Sequence, residues 1–215
     1  MDFDEENEKL IEHLKETRYL KSKQIEEALR KFPRYLFIPE RMRDTAGIDA
    51  PLSIGYNQTI SQPSTVVIMT EALNVKKNQK IMEIGTGSGC QAAILSHVVG
   101  NKGFVYSIEI VKELAEYAKK NIESLKIKNI EIIVKDGSTG LPEKAPFDRI
   151  IVTAASPDIP KPLINQLKIG GIMVIPIGNL FLQEMYVVKK TERGIRKKSI
   201  GNFVFVPLKG KYGFK

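Results

Sequence analysis

The sequence predicts an α/β fold, a doubly wound, mostly parallel sheet of seven strands with an N-terminal helical extension. Three observations carry that expectation. Segments of β-type and α-type composition alternate from about residue 65 onward, the order that builds a parallel sheet. Several of the β-type segments are unbroken apolar runs, as strands buried on both faces require. One of these runs, 81–84, leads directly into three alternate glycines and a small-residue helix, the handover from a parallel strand to its crossover helix.

The elements follow in order. Residues 5–31 read as helical, with Leu10, Leu14, Ile25, Ala28 and Leu29 at helical spacing and Ser22 as an N-cap before 24–30, until Pro33 stops the pattern. From 32 to 64 the chain is punctuated by Pro33, Pro39, Pro51, Gly55 and Pro63 without periodicity, which predicts a long ordered connection of the kind that is usually functional. A helix is expected over 65–73. Strands are expected at 80–84, 104–108, 130–134, 149–153 and 172–176, with helices at about 90–98, 111–125 and 161–167. Two further strands, 184–191 and 203–208, joined by a basic turn, should complete the sheet at one edge.

Composition bounds the function. The chain has 215 residues, 42% hydrophobic and 27% charged, which suits one globular domain and disfavours disorder or a coiled coil. A single cysteine, Cys90, makes no internal disulfide and no Cys-based zinc site, so a reducing compartment is expected. The start, MDFDEENE, is acidic where a signal peptide is basic and then apolar, and no apolar run approaches the roughly 20 residues of a membrane span. A soluble, cytoplasmic protein follows. The net charge of +8 is polarised, with nine Lys/Arg and one Glu in 189–215 against two Lys and seven acids in 1–16. A basic surface attracts nucleic acid, but a solvated face is the simpler reading.

The strongest local signal is 81–93, Ile-Met-Glu-Ile-Gly-Thr-Gly-Ser-Gly-Cys-Gln-Ala-Ala. Gly85, Gly87 and Gly89, with Thr86 and Ser88 between them, bring backbone close to a nucleotide-like ligand. The dinucleotide fingerprint needs a glycine at 90, where Cys90 stands, and no Lys-Ser/Thr follows to make a P-loop. Glu83 puts an anion where a pyrophosphate would sit and so favours a cationic ligand. Glu109 closes the next strand, where a carboxylate accepts both ribose hydroxyls, and Asp136, in Lys-Asp-Gly-Ser, follows the third strand within reach of an adenine amino group. Singly these read as a tight turn or a helix cap; together they place three acids at successive strand ends, where an open parallel sheet binds its ligand.

These elements resemble the Rossmann-like, class I methyltransferases that use S-adenosylmethionine, over roughly 65–190. A narrower resemblance lies in Ile-Gly-Tyr-Asn-Gln-Thr-Ile-Ser-Gln-Pro at 54–63, Glu-Ile-Gly-Thr-Gly-Ser-Gly at 83–89, Phe-Asp-Arg-Ile-Ile-Val-Thr-Ala-Ala at 147–155, Leu-Lys-Ile-Gly-Gly at 167–171 and Phe-Val-Pro-Leu at 205–208. Across about 20–210 these are similar to the protein-L-isoaspartate O-methyltransferases. The resemblance implies methyl transfer from S-adenosyl-L-methionine to the stray α-carboxylate of isoaspartyl residues, beginning repair through a succinimide. It implies that Ser61, with Thr59, is catalytic and substrate-binding. It further implies that Ile60, Glu83, Gly85, Thr86, Gly87, Ser88, Gly89, Glu109, Ile110, Asp136, Gly137 and Ser138 hold the cofactor, and that Val204 and Val206 contact the peptide. On this reading the chain is a single methyltransferase domain, with 1–64 a helical extension and substrate-side loop, 65–190 the cofactor-binding core and 191–215 a C-terminal strand and tail. Its partners are isoaspartyl proteins and peptides, with no metal, nucleic acid or membrane, and it acts as a monomer.

The chemistry agrees with the residues. A carboxylate is ionised at neutral pH, so the nucleophile needs no general base. The only histidines, His13 and His97, read as structural or exposed. The local alternative for Ser61 to Pro63 is a cap on the following helix. Segment 203–206 is β-prone and is expected to pair with the peptide main chain, although an interior strand would be equally apolar. The rival reading is a nucleic-acid methyltransferase. Against it, Val-Thr-Ala-Ala-Ser-Pro at 152–157 stands where an amino-group methylase carries D/N-P-P-Y/F, and Cys90 reads as packed rather than nucleophilic. A silent nucleotide-binding module and a dehydrogenase fit less of the pattern.

Overall fold

The computed structural model describes residues 2–215. The N-terminal helical stretch is two helices, α1 (Phe3–Glu16) and α2 (Lys23–Lys31). The Asp2 carboxylate caps α1 by accepting from the N–H groups of Asp4 and Glu5. Ser22 sits at the N-cap of α2 without capping it through its side chain. Its hydroxyl, its N–H and that of Lys21 donate instead to the Glu71 carboxylate, and this interrupts the helix expected over 5–31. One apolar cluster joins Leu10, Leu14 and Ile25 to Ile94, Val98 and Leu114, so the extension covers the outer helices of the sheet.

The long connection contains two short 3-10 turns and then a hairpin, β1 (Leu52–Gly55) and β2 (Gln58–Ile60). Tyr56 and Asn57 turn it with φ of 52° and 56°, the left-handed pair that suits the twist of a hairpin. Helix α3 (Pro63–Leu73) follows, with proline in its first turn, where a missing N–H costs nothing.

The main sheet has the order β5-β4-β3-β6-β7-β8-β9, from β3 (Lys80–Ile84), β4 (Phe104–Glu109), β5 (Ile130–Val134), β6 (Phe147–Val152), β7 (Leu167–Gly178), β8 (Gln183–Thr191) and β9 (Gly194–Phe203). Between them run α4 (Cys90–Val99), α5 (Lys112–Ser124) and α6 (Lys161–Gln166). Strands β3 to β7 pair in parallel and β8 and β9 antiparallel. The sheet's central strands are buried on both sides. Met82, Ile84, Ile108, Phe147 and Leu163 pack on one face, and Leu73, Ile81, Leu95, Val105 and Ile151 on the other.

The last strand departs from expectation. It is Gly194–Phe203 rather than 203–208, and Arg196, Lys197 and Lys198 lie within it, in register with β8. Charge along an outer strand blocks edge-to-edge pairing, and the same charge hides the strand from a reading based on apolar content. Residues 204–208 leave the sheet and run back to Ala155, whose N–H donates to Val206 O (2.8 Å) and whose carbonyl accepts from Leu208 N–H (2.7 Å). Among the described residues no helix is long and apolar enough to cross a membrane.

Candidate active site

Strand order reverses between β3 and β6, and a crevice opens at such a switch point, beyond the carboxyl ends of the strands. The glycine loop folds tightly across it. Gly85 has φ of +95°, and a Cβ there would come within 2.4 Å of Thr153 Oγ1. That hydroxyl is committed, donating to Ile84 O (3.0 Å) and Gly85 O (2.7 Å), so only glycine fits. The N–H groups of Gly85 and Thr86 donate to Ile108 O. Glu109 then spans the loop, with Oε2 accepting from Gly87 N–H (2.9 Å) and Oε1 from Val111 N–H (3.0 Å).

One cavity gathers Thr59, Ile60, Ser61, Gly85, Thr86, Gly87, Ser88, Glu109, Ile110, Gly137 and Val206. Glu83, Gly89, Asp136, Ser138 and Val204 are not in its wall. Gly89 is the N-cap of α4, behind the loop. Of the three strand-end acids expected to converge on the crevice, only Glu109 lines it.

Glu83 is fully buried beside the cavity's glycine loop, Ser107 Oγ donates to its Oε2 (2.5 Å) and, among the described residues, its Oε1 has no hydrogen-bond partner. Burial pushes its pKa up to about 8, against a smaller lowering by the Ser107 bond, and nearby Glu109 adds to the rise. That rise favours the neutral carboxyl in the free protein, and a cationic ligand beside it would favour the anion. The folded state keeps a proton that the unfolded chain, titrating near 4.5, releases, so stability falls as pH rises from about 4.5 to 8. Glu83→Gln should flatten that decline, read as the thermal midpoint across the same pH range; an unchanged slope would contradict the assignment.

Asp136 is turned away from the crevice. Its carboxylate accepts from Ser138 N–H (2.9 Å), Ser138 Oγ (2.6 Å) and Lys211 N–H (2.8 Å). Burial alone would raise its pKa, but these bonds and the Lys135 charge hold it below the ordinary value. Gly210 makes the contact possible, since with φ of +130° a Cβ there would lie 2.0 Å from Asp136 Oδ1. Ser138 Oγ also accepts from Tyr212 N–H (3.0 Å). Only Gly137 of this loop reaches the cavity.

Thr59 and Ser61 arrive on β2 and just after it. Among the described residues no intramolecular hydrogen bond uses either hydroxyl, so both are free to take a ligand. The main chain carrying them is held firmly. Arg34, only 7% exposed, donates from Nη1 to Ile48 O (3.1 Å) and from Nη2 to Ala50 O (2.7 Å), Ile60 O (3.3 Å) and Ser61 O (3.1 Å). Burial pushes its pKa down to about 10, with Cys90 and Asp49 opposing. Asp49 accepts from Gln62 Nε2 (3.1 Å) and Ser64 N–H (2.8 Å). Asp49 is thus the side chain that caps α3, and the capping role weighed for Ser61 falls away. Neither Arg34 nor Asp49 is visible from sequence, because the partners of both are largely main-chain atoms.

His97 packs edge-on to Phe32 and lies 3.9 Å from Glu27; neither histidine lines the cavity. Cys90 does line it, but burial pushes its thiol up to about 12, which removes the thiolate that nucleophilic catalysis needs.

A second groove, of about 620 Å³, opens from the cavity and shares Thr59, Ser61, Thr153 and Val206 with it. Its far wall is residues 200–206. Among the described residues, neither polar main-chain group of Val204 and not the N–H of Val206 is hydrogen-bonded within the chain.

Comparison with known proteins agrees with this architecture. A profile of the protein-L-isoaspartate(D-aspartate) O-methyltransferase family matches residues 5–213. Protein-L-isoaspartate O-methyltransferase 1 of Archaeoglobus fulgidus is 51% identical, over 100% of this chain and 98% of that protein. A solved protein-L-isoaspartate O-methyltransferase superposes with a TM-score of 0.87 at 32% identity, over 96% of this chain and 67% of that one. A Plasmodium falciparum chain assigned to the same activity, solved with S-adenosyl-L-homocysteine, gives 0.80 at 28% identity, covering 94% and 97%. The chain belongs to the protein-L-isoaspartate(D-aspartate) O-methyltransferase family.

Proposed function

We propose that this enzyme transfers a methyl group from S-adenosyl-L-methionine to the free α-carboxylate of L-isoaspartyl residues in damaged proteins and peptides, which opens their repair through a succinimide. The observation that carries the reading is the placing of two unbonded hydroxyls, Thr59 and Ser61, where the cavity meets the groove. The residues fit the cofactor. The buried, unpartnered Glu83 Oε1 matches a cationic ligand, and the Gly85 turn brings main chain where a side chain would block it. Glu109 takes the ribose, the loop 85–88 follows its flank, Ile60 and Ile110 give apolar contact, and Asp136 holds Gly137 and Ser138 beneath it. When bound, the cofactor supplies an electrophilic methyl group on a sulfonium.

The protein's part is orientation. The substrate carboxylate is already an anion, so neutral donors that hold it without protonating it serve better than a base. Thr59 and Ser61 align one of its oxygens, and the Arg34 framework keeps both hydroxyls on a fixed main chain. Extended substrate pairs with the unbonded main chain of Val204 and Val206, a contact that tolerates any sequence. Among the described residues no charged side chain lines the groove, which suits peptide rather than a phosphate backbone. We take the enzyme to act in the cytoplasm as a monomer, on isoaspartyl proteins and peptides. The test is transfer of labelled methyl to an isoaspartyl peptide, with no label on the matching aspartyl peptide. Equal labelling of the two, or labelling of RNA alone, would overturn the reading.

A further inference from the structure

Leu180, Phe181 and Leu182, on the connection between β7 and β8, are 55%, 85% and 51% exposed. Three consecutive large apolar residues in water are unusual in a monomeric protein and mark a contact surface. They are not on a loose loop. Asn179 Oδ1 accepts from Phe181 N–H (2.8 Å) and Leu182 N–H (3.0 Å), and Asn179 N–H donates to Leu182 O (3.2 Å). The fully buried Gln183 ties this turn to the groove, since its Nε2 donates to Asn179 O (2.5 Å) and its Oε1 accepts from Phe205 N–H (2.8 Å).

The register places the turn. Gln183 pairs with Phe203 across β8 and β9, which brings Leu182 in line with Val204, itself 71% exposed. Both line the groove, whose wall among the described residues contains no charged side chain in a chain that is 27% charged. Val206, in the cavity wall, lies two residues further on, about 7 Å along an extended chain. A peptide paired along 204–206 with its isoaspartyl residue beside Val206 and Ser61 therefore presents the side chain two positions away beside Val204 and Leu182.

We propose that Leu182, where the apolar turn 180–182 meets the groove, receives with Val204 a large apolar side chain two positions from the isoaspartyl residue, so that the enzyme selects damage sites with apolar neighbours. This rests on the peptide-methylating reading above. Continuity with the cavity points to substrate rather than to a second copy of the chain. The selectivity suits the repair of unfolded protein, where apolar residues are extended and accessible.

The test compares isoaspartyl peptides carrying leucine or serine two positions from the damage, on either side of it, with the intact enzyme and with Leu182→Ser. The intact enzyme should show a KM about tenfold lower for one leucine peptide than for its serine partner, the gain expected from burying one such side chain. The variant should lose that difference and keep its kcat, its affinity for S-adenosyl-L-homocysteine and its sedimentation coefficient. No preference in the intact enzyme, or a preference that survives in the variant, would overturn the proposal. A variant that keeps the preference but changes its oligomeric state would identify the patch as a contact between copies. If the intact enzyme methylates no isoaspartyl peptide, the underlying reading fails instead, an outcome distinct from equal methylation of both peptides.

Discussion

Ser61→Ala should lower kcat about 100-fold, the order of loss that misplacing a reacting atom by about 1 Å produces, while the affinity for S-adenosyl-L-homocysteine and the thermal midpoint stay unchanged. The separation follows from the geometry. The Ser61 hydroxyl has no partner within the described chain, so the fold loses no bond when it goes, and the first turn of α3 is capped by Asp49 (2.8 Å). Steady-state kinetics with an isoaspartyl peptide, a calorimetric titration and a melting curve decide it. A depressed midpoint with only a modest loss of turnover would mean that the hydroxyl serves the fold.

Arg34→Met should have the largest effect of any single change outside the crevice. Removing the guanidinium strands the buried carbonyl of Ile60 and the half-buried carbonyls of Ile48, Ala50 and Ser61. Buried acceptors without partners cost about 1–3 kcal/mol each, and with partial relaxation the total should be about 3–5 kcal/mol, a drop of roughly 10 °C in the midpoint. Turnover, measured below the midpoints of both proteins, should fall with cofactor affinity kept, because the segment that moves carries Thr59 and Ser61 and not Glu109. Arg34→Lys keeps the charge but not the planar fork, so it should recover part of the stability and little of the turnover. A folded Arg34→Met enzyme with normal kcat would refute the positioning role.

Two physical circumstances decided what was legible in the sequence. Strands buried on both faces must be apolar throughout, so β3 to β7 and their crossover helices stand out, and the glycine loop could be placed between β3 and α4. Elements stabilised otherwise were missed. The β1–β2 hairpin turns on Tyr56 and Asn57 instead of the usual asparagine-glycine pair, and β9 is polar because it lies at the sheet edge. Within the site, sequence located the acids at their strand ends but not the direction of their carboxylates. Glu83 is sealed within the sheet against Ser107 of the neighbouring strand, and Asp136 faces the tail, which depends on chain 74–75 residues away. Arg34 carries no motif at all, since it binds carbonyls 14–27 residues downstream and any sequence supplies those.

The contact of the tail with Asp136 has a consequence for biosynthesis. Val206, Leu208 and Lys209 supply one wall of the cavity, and Lys211 and Tyr212 secure the loop that carries Gly137. Translation delivers these residues only after every other wall has been made. The glycine loop, the hairpin and the parallel strands can therefore assemble on the ribosome while the pocket is still open on one side. A nascent chain that stalls before residue 204 would carry the glycine loop and Glu109 yet lack the wall that 206–209 supply and the bonds that fix the Gly137 loop, so a complete pocket waits on the last stretch of synthesis.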